Sequence, residues 1–134
     1  MFNFYRPGYI AAGTETGAAA LTAPELQITN ASTIIGYANF LTTFTFEVSP
    51  KSDAGRAAAF VPDYVSHTAV ADDTATLLDG LDLLLTHGTL QAETRQRIVR
   101  VLEQLGGESE ADRLLRTRVA IVMIMTSPEY IVLR

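Results

Sequence analysis

The residues best suited to chemistry lie in one short stretch near the middle of the chain. Asp63, Ser66 and His67 fall within five residues, and Asp72 and Asp73 follow shortly after. A carboxylate, an imidazole and a hydroxyl that meet in a loop could act as acid, base and nucleophile. The same residue types are common in turns and helix caps, and we expect that role here. The sequence therefore predicts no catalytic residue, and His67, Asp63 and Asp72 are the candidates to examine.

Two other groups of titratable residues have a structural interpretation. Asp79 and Asp82 are three residues apart and would share one helix face, but nothing in the sequence indicates that a carboxyl pKa is raised there, so we place them on the solvated side. His87 precedes Gly88, where a positive charge favours a helix C-terminus. Neither group predicts a site.

The composition and motifs indicate no bound metal or cofactor. The chain has no cysteine, which excludes disulfides, zinc thiolates and thiol nucleophiles. Its two histidines, His67 and His87, do not have a metal-binding spacing, and no calcium loop, phosphate loop, nucleophile elbow or dinucleotide fingerprint is present. We expect no metal ligand, no cofactor-binding residue and no cofactor.

The length and composition of the chain predict one domain that uses a partner surface. The 134 residues suffice for one core, and 48 % hydrophobic with 19 % charged residues is apolar for a chain of this size. A net charge of −5 argues against nucleic-acid binding. No apolar run approaches the roughly 20 residues that span a bilayer, and no export signal is present.

The first half combines an irregular segment, one helix and a loop. Residues 1–28 are rich in glycine, proline and aromatic rings without a regular period, and we expect the rings of Phe2, Phe4, Tyr5 and Tyr9 to pack on a surface. Residues 29–47 have helical spacing after a cap at position 29 or 30, although positions 44–48 alternate as a strand would. Residues 48–71 are predicted to be loop, with one helical turn at 56–60.

Residues 72–134 predict a three-helix unit. The first helix begins at Asp72 or Asp73 and ends at Gly88, and Gly80 within it indicates a close helix contact. Its apolar stripe comprises Leu77, Leu78, Leu81, Leu84 and Leu85.

Two more helices complete this unit. One runs over about 92–105 and buries Ile98, Val101 or Leu102, and Leu105. The next is capped by Ser109 with Asp112 and continues to about 126, with an apolar second half, 119–125, in the middle of the core. Because the connections are short, neighbouring helices should be antiparallel. The fold class is therefore an all-α antiparallel bundle of about four helices with a long irregular N-terminal segment, either a single domain or the C-terminal fragment of a larger one.

Several runs resemble one bacterial family. They are Phe2-Asn3-Phe4-Tyr5-Arg6-Pro7-Gly8-Tyr9, Ala23-Pro24-Glu25-Leu26-Gln27-Ile28 with Asn30, Gly36-Tyr37-Ala38-Asn39-Phe40, Leu83-Leu84-Leu85 with Gly88, Thr94-Arg95, and Ser127-Pro128-Glu129-Tyr130. Together they are similar to the last third of the family called domain of unknown function 1800. The resemblance implies a longer parent protein that is usually exported, to the periplasm or outside the cell, and it assigns no activity and no catalytic residue. On this basis we expect the chain to be truncated relative to the family.

Two functions follow as hypotheses. The first is a non-catalytic helical interaction module, whose partner is the preceding part of the parent protein or another protein chain, with self-association through apolar surface as a further outcome. The second is an accessory part of an exported, hydrolase-like enzyme whose cleft includes Asp63, Ser66, His67 and Asp72. The sequence does not specify an activity, a substrate or an oligomeric state.

Overall fold

The regular elements of this chain are helices throughout the part that the structure describes. The structure is a computed structural model, and it describes residues 6–28, 30–46, 62–106 and 108–131. Within these ranges no strand occurs, and the prediction of an all-α class is confirmed. The chain divides into two compact units, Met1–Asn39 and Phe40–Arg134.

The first unit contains two short helical turns in the segment predicted to be irregular. Helix α1 spans Glu15–Ala18, and a 3-10 helix spans Pro24–Ile28. A Cβ atom on Gly17 would lie 2.1 Å from the carbonyl oxygen of Ala11, so this close approach requires glycine. The aromatic run before Arg6 lies outside the described residues, and the packing of its rings remains a prediction.

Helix α2 spans Ala31–Phe46 and begins at a reciprocal cap. The side chain of Asn30 accepts a hydrogen bond from the amide of Thr33 at 3.0 Å, and the Thr33 hydroxyl accepts one from the amide of Asn30 at 2.9 Å. Of the two predicted caps, positions 29 and 30, the structure selects Asn30. The helix continues through Phe46, so the strand alternative is wrong for the described positions 44–46.

In the described part of the second unit, the last residues of α2 are followed by three longer helices and two short ones. Between 62 and 71, where a loop was predicted, the structure has a helical turn, and the predicted turn at 56–60 lies outside the described residues. The buried core combines side chains from α4, α5 and α6, and α6 contacts each of the other four helices. The helices are α3 (Val65–Thr68), α4 (Thr74–Thr86), α5 (Ala92–Gln104), α6 (Glu110–Met125) and α7 (Pro128–Ile131).

Helix α4 follows the predicted boundaries, but its apolar stripe is narrower than predicted. The Asp73 carboxylate caps it by accepting from the amides of Ala75 and Thr76. Leu77, Leu78 and Leu81 are at most 1 % exposed, whereas Leu84 is 62 % exposed. At about 100° per residue Leu84 lies only about 20° from buried Leu77, but two turns farther along the helix, where no described neighbour covers it.

Gly80 in α4 does not mark a close helix contact. It is exposed, and an added Cβ atom would meet no described atom within 4 Å, so that prediction is wrong. The helix ends as predicted with left-handed backbone, but at two residues, since His87 (φ 56°) precedes Gly88 (φ 76°) in this conformation.

Helices α5 and α6 bury most of the predicted residues, but Leu105 is only partly buried and follows α5 as its C-cap. Ile98 and Leu102 of α5 are each 1 % exposed, which selects Leu102 over Val101. Ser109 and Asp112 form the predicted capping box, with the Asp112 amide donating to the Ser109 hydroxyl at 3.2 Å. The apolar second half of α6 has no exposed side chain, which agrees with its predicted place in the core.

Candidate functional site

The stretch that could do chemistry brings its hydroxyl and imidazole together. The Ser66 hydroxyl lies 3.2 Å from Nδ1 of His67, at the exposed side of α3. The Asp63 carboxylate instead accepts a hydrogen bond from the amide of Val65 at 2.9 Å, and so closes the turn that begins α3. Neither Asp63 nor Asp72 hydrogen-bonds to His67 in the described structure. The three side-chain types are near in sequence, but they do not form the carboxylate–imidazole–hydroxyl hydrogen-bond chain of a catalytic triad.

Asp72 is held by α6. Nε of Arg113 lies 2.8 Å and 3.0 Å from the two carboxylate oxygens of Asp72, and the guanidinium of Arg116 approaches within 3.8 Å. Arg116 also donates from Nε to the carbonyl oxygen of Leu105 at 2.8 Å. This carboxylate therefore ties the connection before α4 to α6.

The other two carboxylates of α4 also have structural partners. Asp79, on the exposed side as predicted, forms an ion pair with Arg95 at 2.6 Å. Asp82 is only partly exposed and accepts hydrogen bonds from the Thr86 hydroxyl and, at 3.1 Å, from the Leu90 amide. Asp82 thus organises the connection between α4 and α5.

A groove of about 500 Å³ lies between α3 and the first half of α6. Asp63 lines this groove, whereas Ser66, His67 and Asp72 are not among its lining residues. Its lining comprises Pro62, Asp63, Tyr64, Val65, Thr68, Ala69, Glu110, Arg113, Leu114 and Arg118.

Arg118 is placed in this groove by two aromatic rings. Its guanidinium carbon lies 5.7 Å from the ring centre of Phe46 and 5.6 Å from that of Tyr64, distances typical of cation–π contacts. The Tyr64 hydroxyl donates to the carbonyl oxygen of Thr45 at 3.2 Å, which fixes its ring at the end of α2. Burial raises the pKa of Tyr64, and the positive charge of Arg118 opposes that rise.

The guanidinium of Arg118 has no acceptor in the described part of the chain. Its Nε is fully buried and makes no hydrogen bond there. This is unusual, because buried polar atoms in proteins are nearly always hydrogen-bonded. Sequence reasoning missed this arginine, since its two rings and the groove come from segments far apart in the chain.

A second residue missed by sequence reasoning is Glu129. Its Oε1 accepts a hydrogen bond from the Thr94 hydroxyl at 2.8 Å and from the Gln91 amide at 3.2 Å. Gln91 is the N-cap of α5 and makes no capping bond with its own side chain. The carboxylate from α7 therefore caps α5 in place of a local residue.

The pKa of Glu129 reflects this role. Burial acts to raise the pKa of this carboxyl, but hydrogen bonds from its own backbone amide, from Thr94 and from Gln91 outweigh burial, and the pKa lies below its ordinary value. The pKa of Asp73 and that of Asp112 are also lowered, chiefly by hydrogen bonds from the Thr76 and Ser109 side chains respectively. All three groups serve helix termini.

The described residues contain no group of three or more His, Asp or Glu side chains that could hold a metal ion. They also include no helix that is long and apolar enough to cross a membrane. Comparison with protein-family models, characterised proteins and solved structures gave no match. The arguments about function therefore rest on the residues themselves.

Proposed function

We propose that this chain is a non-catalytic helical interaction module that binds an apolar protein surface through α2. The supporting observation is the character of this helix. Its 16 residues include no charged side chain. Four large apolar residues on it are 47–61 % exposed, namely Ile34, Ile35, Phe40 and Phe44. Exposed apolar side chains grouped along one element are typical of a binding surface.

The energetic gain from covering these side chains is substantial. Fully burying one large apolar side chain contributes about 1.5–3 kcal/mol, and roughly half of this remains to be gained for side chains that are 47–61 % exposed. The rings of Phe40 and Phe44 are already stacked with centres 5.7 Å apart, which gives a partner one preformed apolar platform. Binding would therefore need little ordering of these two rings.

The polar residues support the non-catalytic part of the proposal. Asp72, Asp73, Asp82, Asp112 and Glu129 all hold helix ends or connections through hydrogen bonds or ion pairs. A carboxylate in such a role stabilises the fold and is not available as a general base.

The partner that we propose is the preceding part of a longer, exported bacterial protein, in keeping with the resemblance to domain of unknown function 1800. Another protein chain is the second choice of partner. The apolar and uncharged surface of α2 is compatible with either, since neither requires charge complementarity on that helix.

Self-association and dye binding test the role of α2. We expect the purified chain to bind the dye anilinonaphthalene sulfonate and to associate as its concentration rises in analytical ultracentrifugation. A Phe40→Ser, Phe44→Ser variant should lose both properties and keep its helical circular dichroism spectrum. The matched control is Leu83→Ser, Leu84→Ser, which changes two residues of α4 that are 71 % and 62 % exposed. A strictly monomeric chain that does not bind the dye, or equal effects of the two variants, would contradict the proposal.

The contact between Ser66 and His67 favours one alternative, an accessory part of an exported, hydrolase-like enzyme. A serine activated by an imidazole reacts with fluorophosphonates. On this alternative, the chain should be labelled at Ser66, and His67→Ala should abolish the labelling. Absence of labelling in the wild-type chain excludes Ser66 as an activated nucleophile.

A further inference from the structure

We propose that the groove beside Arg118 binds a small organic carboxylate. The proposal rests on an arginine that the fold positions firmly and that has no acceptor among the described residues. It concerns the groove between α3 and α6 and uses Phe46 at the end of α2, but none of the four exposed side chains on which the proposed function rests.

The three arginines in the middle of α6 have different surroundings. Arg113 pairs with Asp72, and Arg116 donates to the Leu105 carbonyl oxygen. Arg118 forms no ion pair and no hydrogen bond with any described residue, although its Nε is buried. Arg118 thus differs from the other two arginines in having no acceptor among the described residues, and because its Nε is covered by protein, a ligand in the groove would bond to the two terminal nitrogens of the guanidinium.

The rings beside Arg118 orient its guanidinium in advance. With Phe46 and Tyr64 each under 6 Å from the guanidinium carbon, much of the freedom of this long side chain is already lost in the unbound chain. A ligand that hydrogen-bonds to an already ordered guanidinium loses less entropy on binding. The planar fork of donors matches the two oxygens of a carboxylate.

The groove lining selects a carboxylate with an apolar body over a highly charged anion. Pro62, Val65 and Leu114 provide apolar lining, and about 500 Å³ is a typical size for a small-molecule site. Asp63 and Glu110 also line the groove, and their negative charges disfavour a dianion such as phosphate. Glu110 lies eight residues from Arg118, about 12 Å along the helix axis, and forms no ion pair with it.

The test uses benzoate as the probe and nuclear magnetic resonance of the isotope-labelled chain. We expect benzoate to shift the Arg118 Nε–H signal saturably, and benzamide, which has the same shape without charge, to leave it in place. Arg118→Gln should weaken benzoate binding, followed through the backbone amides of Val65 and Leu114, about ten-fold or more. Arg97→Gln is the matched control, since Arg97 is 65 % exposed on α5, and it should leave the affinity unchanged.

A further variant and a further ligand distinguish a ligand site from a purely structural role of Arg118. Arg118→Lys keeps the charge but not the planar fork, and we expect intermediate affinity with an unchanged circular dichroism spectrum. The proposal is overturned if benzoate causes no saturable shift, if benzamide shifts the same signals equally, or if Arg97→Gln weakens binding as much as Arg118→Gln. Inorganic phosphate that binds more tightly than benzoate at the same signals would overturn the assignment to a carboxylate.

Discussion

The cap that Glu129 provides for α5 gives the sharpest test of how this fold is held together. Its Oε1 receives hydrogen bonds from the Thr94 hydroxyl at 2.8 Å and the Gln91 amide at 3.2 Å. Hydrogen bonds to a charged group contribute about 1.5–3 kcal/mol, and a negative charge at a helix N-terminus contributes about 0.3–1 kcal/mol. We expect Glu129→Ala to lower the free energy of unfolding by about 2 kcal/mol. Glu129→Gln retains an acceptor oxygen and should cost about 1 kcal/mol.

Urea unfolding followed by circular dichroism measures these differences. Glu103→Gln is the control, because Glu103 is exposed on α5, the helix that Glu129 caps, and has no bonding partner among the described residues. A double-mutant cycle of Glu129→Gln with Thr94→Val should give a coupling energy of about 0.5 kcal/mol or more. If Glu129→Gln is as stable as Glu103→Gln at neutral pH, Glu129 does not cap α5.

The same variant has a defined pH dependence. The pKa of Glu129 in the folded chain lies below its ordinary value of 4.5, so its contribution is complete above that value and is lost as the pH falls through the lower, folded pKa. The stability difference between the wild-type chain and Glu129→Gln should therefore shrink on acidification. A difference that stayed constant well below the folded pKa would show that charge on Glu129 is not the cause.

Five further substitutions, which make three comparisons, test the packing and the helix ends of the chain by urea unfolding. Gly80→Ala should raise the free energy of unfolding by about 0.5–1 kcal/mol, because helical Gly80 has room for a Cβ atom. Gly17→Ala should lower the free energy of unfolding, because a Cβ atom there would clash with the Ala11 carbonyl oxygen. The opposite order of the two variants would contradict this geometry. Leu78→Ala should lower the free energy of unfolding by about 2–5 kcal/mol. Leu83 is 71 % exposed, and Leu83→Ala should change that free energy by less than about 0.5 kcal/mol. Equal effects of the two variants would show that Leu78 is not in the core. Asp73→Ala should lower the urea midpoint at neutral pH and have less effect in acid, because the Asp73 pKa is lowered by hydrogen bonds from Thr76; no loss at neutral pH would exclude it as the cap.

Local signals in the sequence located the helices well. The caps at Asn30, Asp73 and Ser109 were predictable because each bonds to backbone within three residues, and so depends on neighbouring sequence alone. The same holds for the left-handed residue at Gly88. Such features follow from residue type before any tertiary contact is known.

Features that depend on distant segments were not predictable. Leu84 fits the apolar stripe by spacing, but its exposure depends on which helices lie beside α4. Glu129 meets Thr94 across 35 residues, and Arg118 lies between rings from positions 46 and 64. The spacing of residues in the sequence does not distinguish Arg118 from its neighbour Arg116. The candidate groove could therefore be recognised only in the folded structure.

Helix α5 also carries a consequence for the order in which the chain folds during synthesis. The amide of its N-cap Gln91 donates to Glu129, and the carbonyl of its C-cap Leu105 accepts from Arg116, so the residues that flank both ends are bonded by residues translated later. A nascent chain that has emerged only as far as Leu105 holds α5 with neither end satisfied by these groups. Helices α6 and α7 are synthesised after α5. We therefore expect the amides of α5 to acquire their full protection against hydrogen exchange only after α7 has emerged from the ribosome.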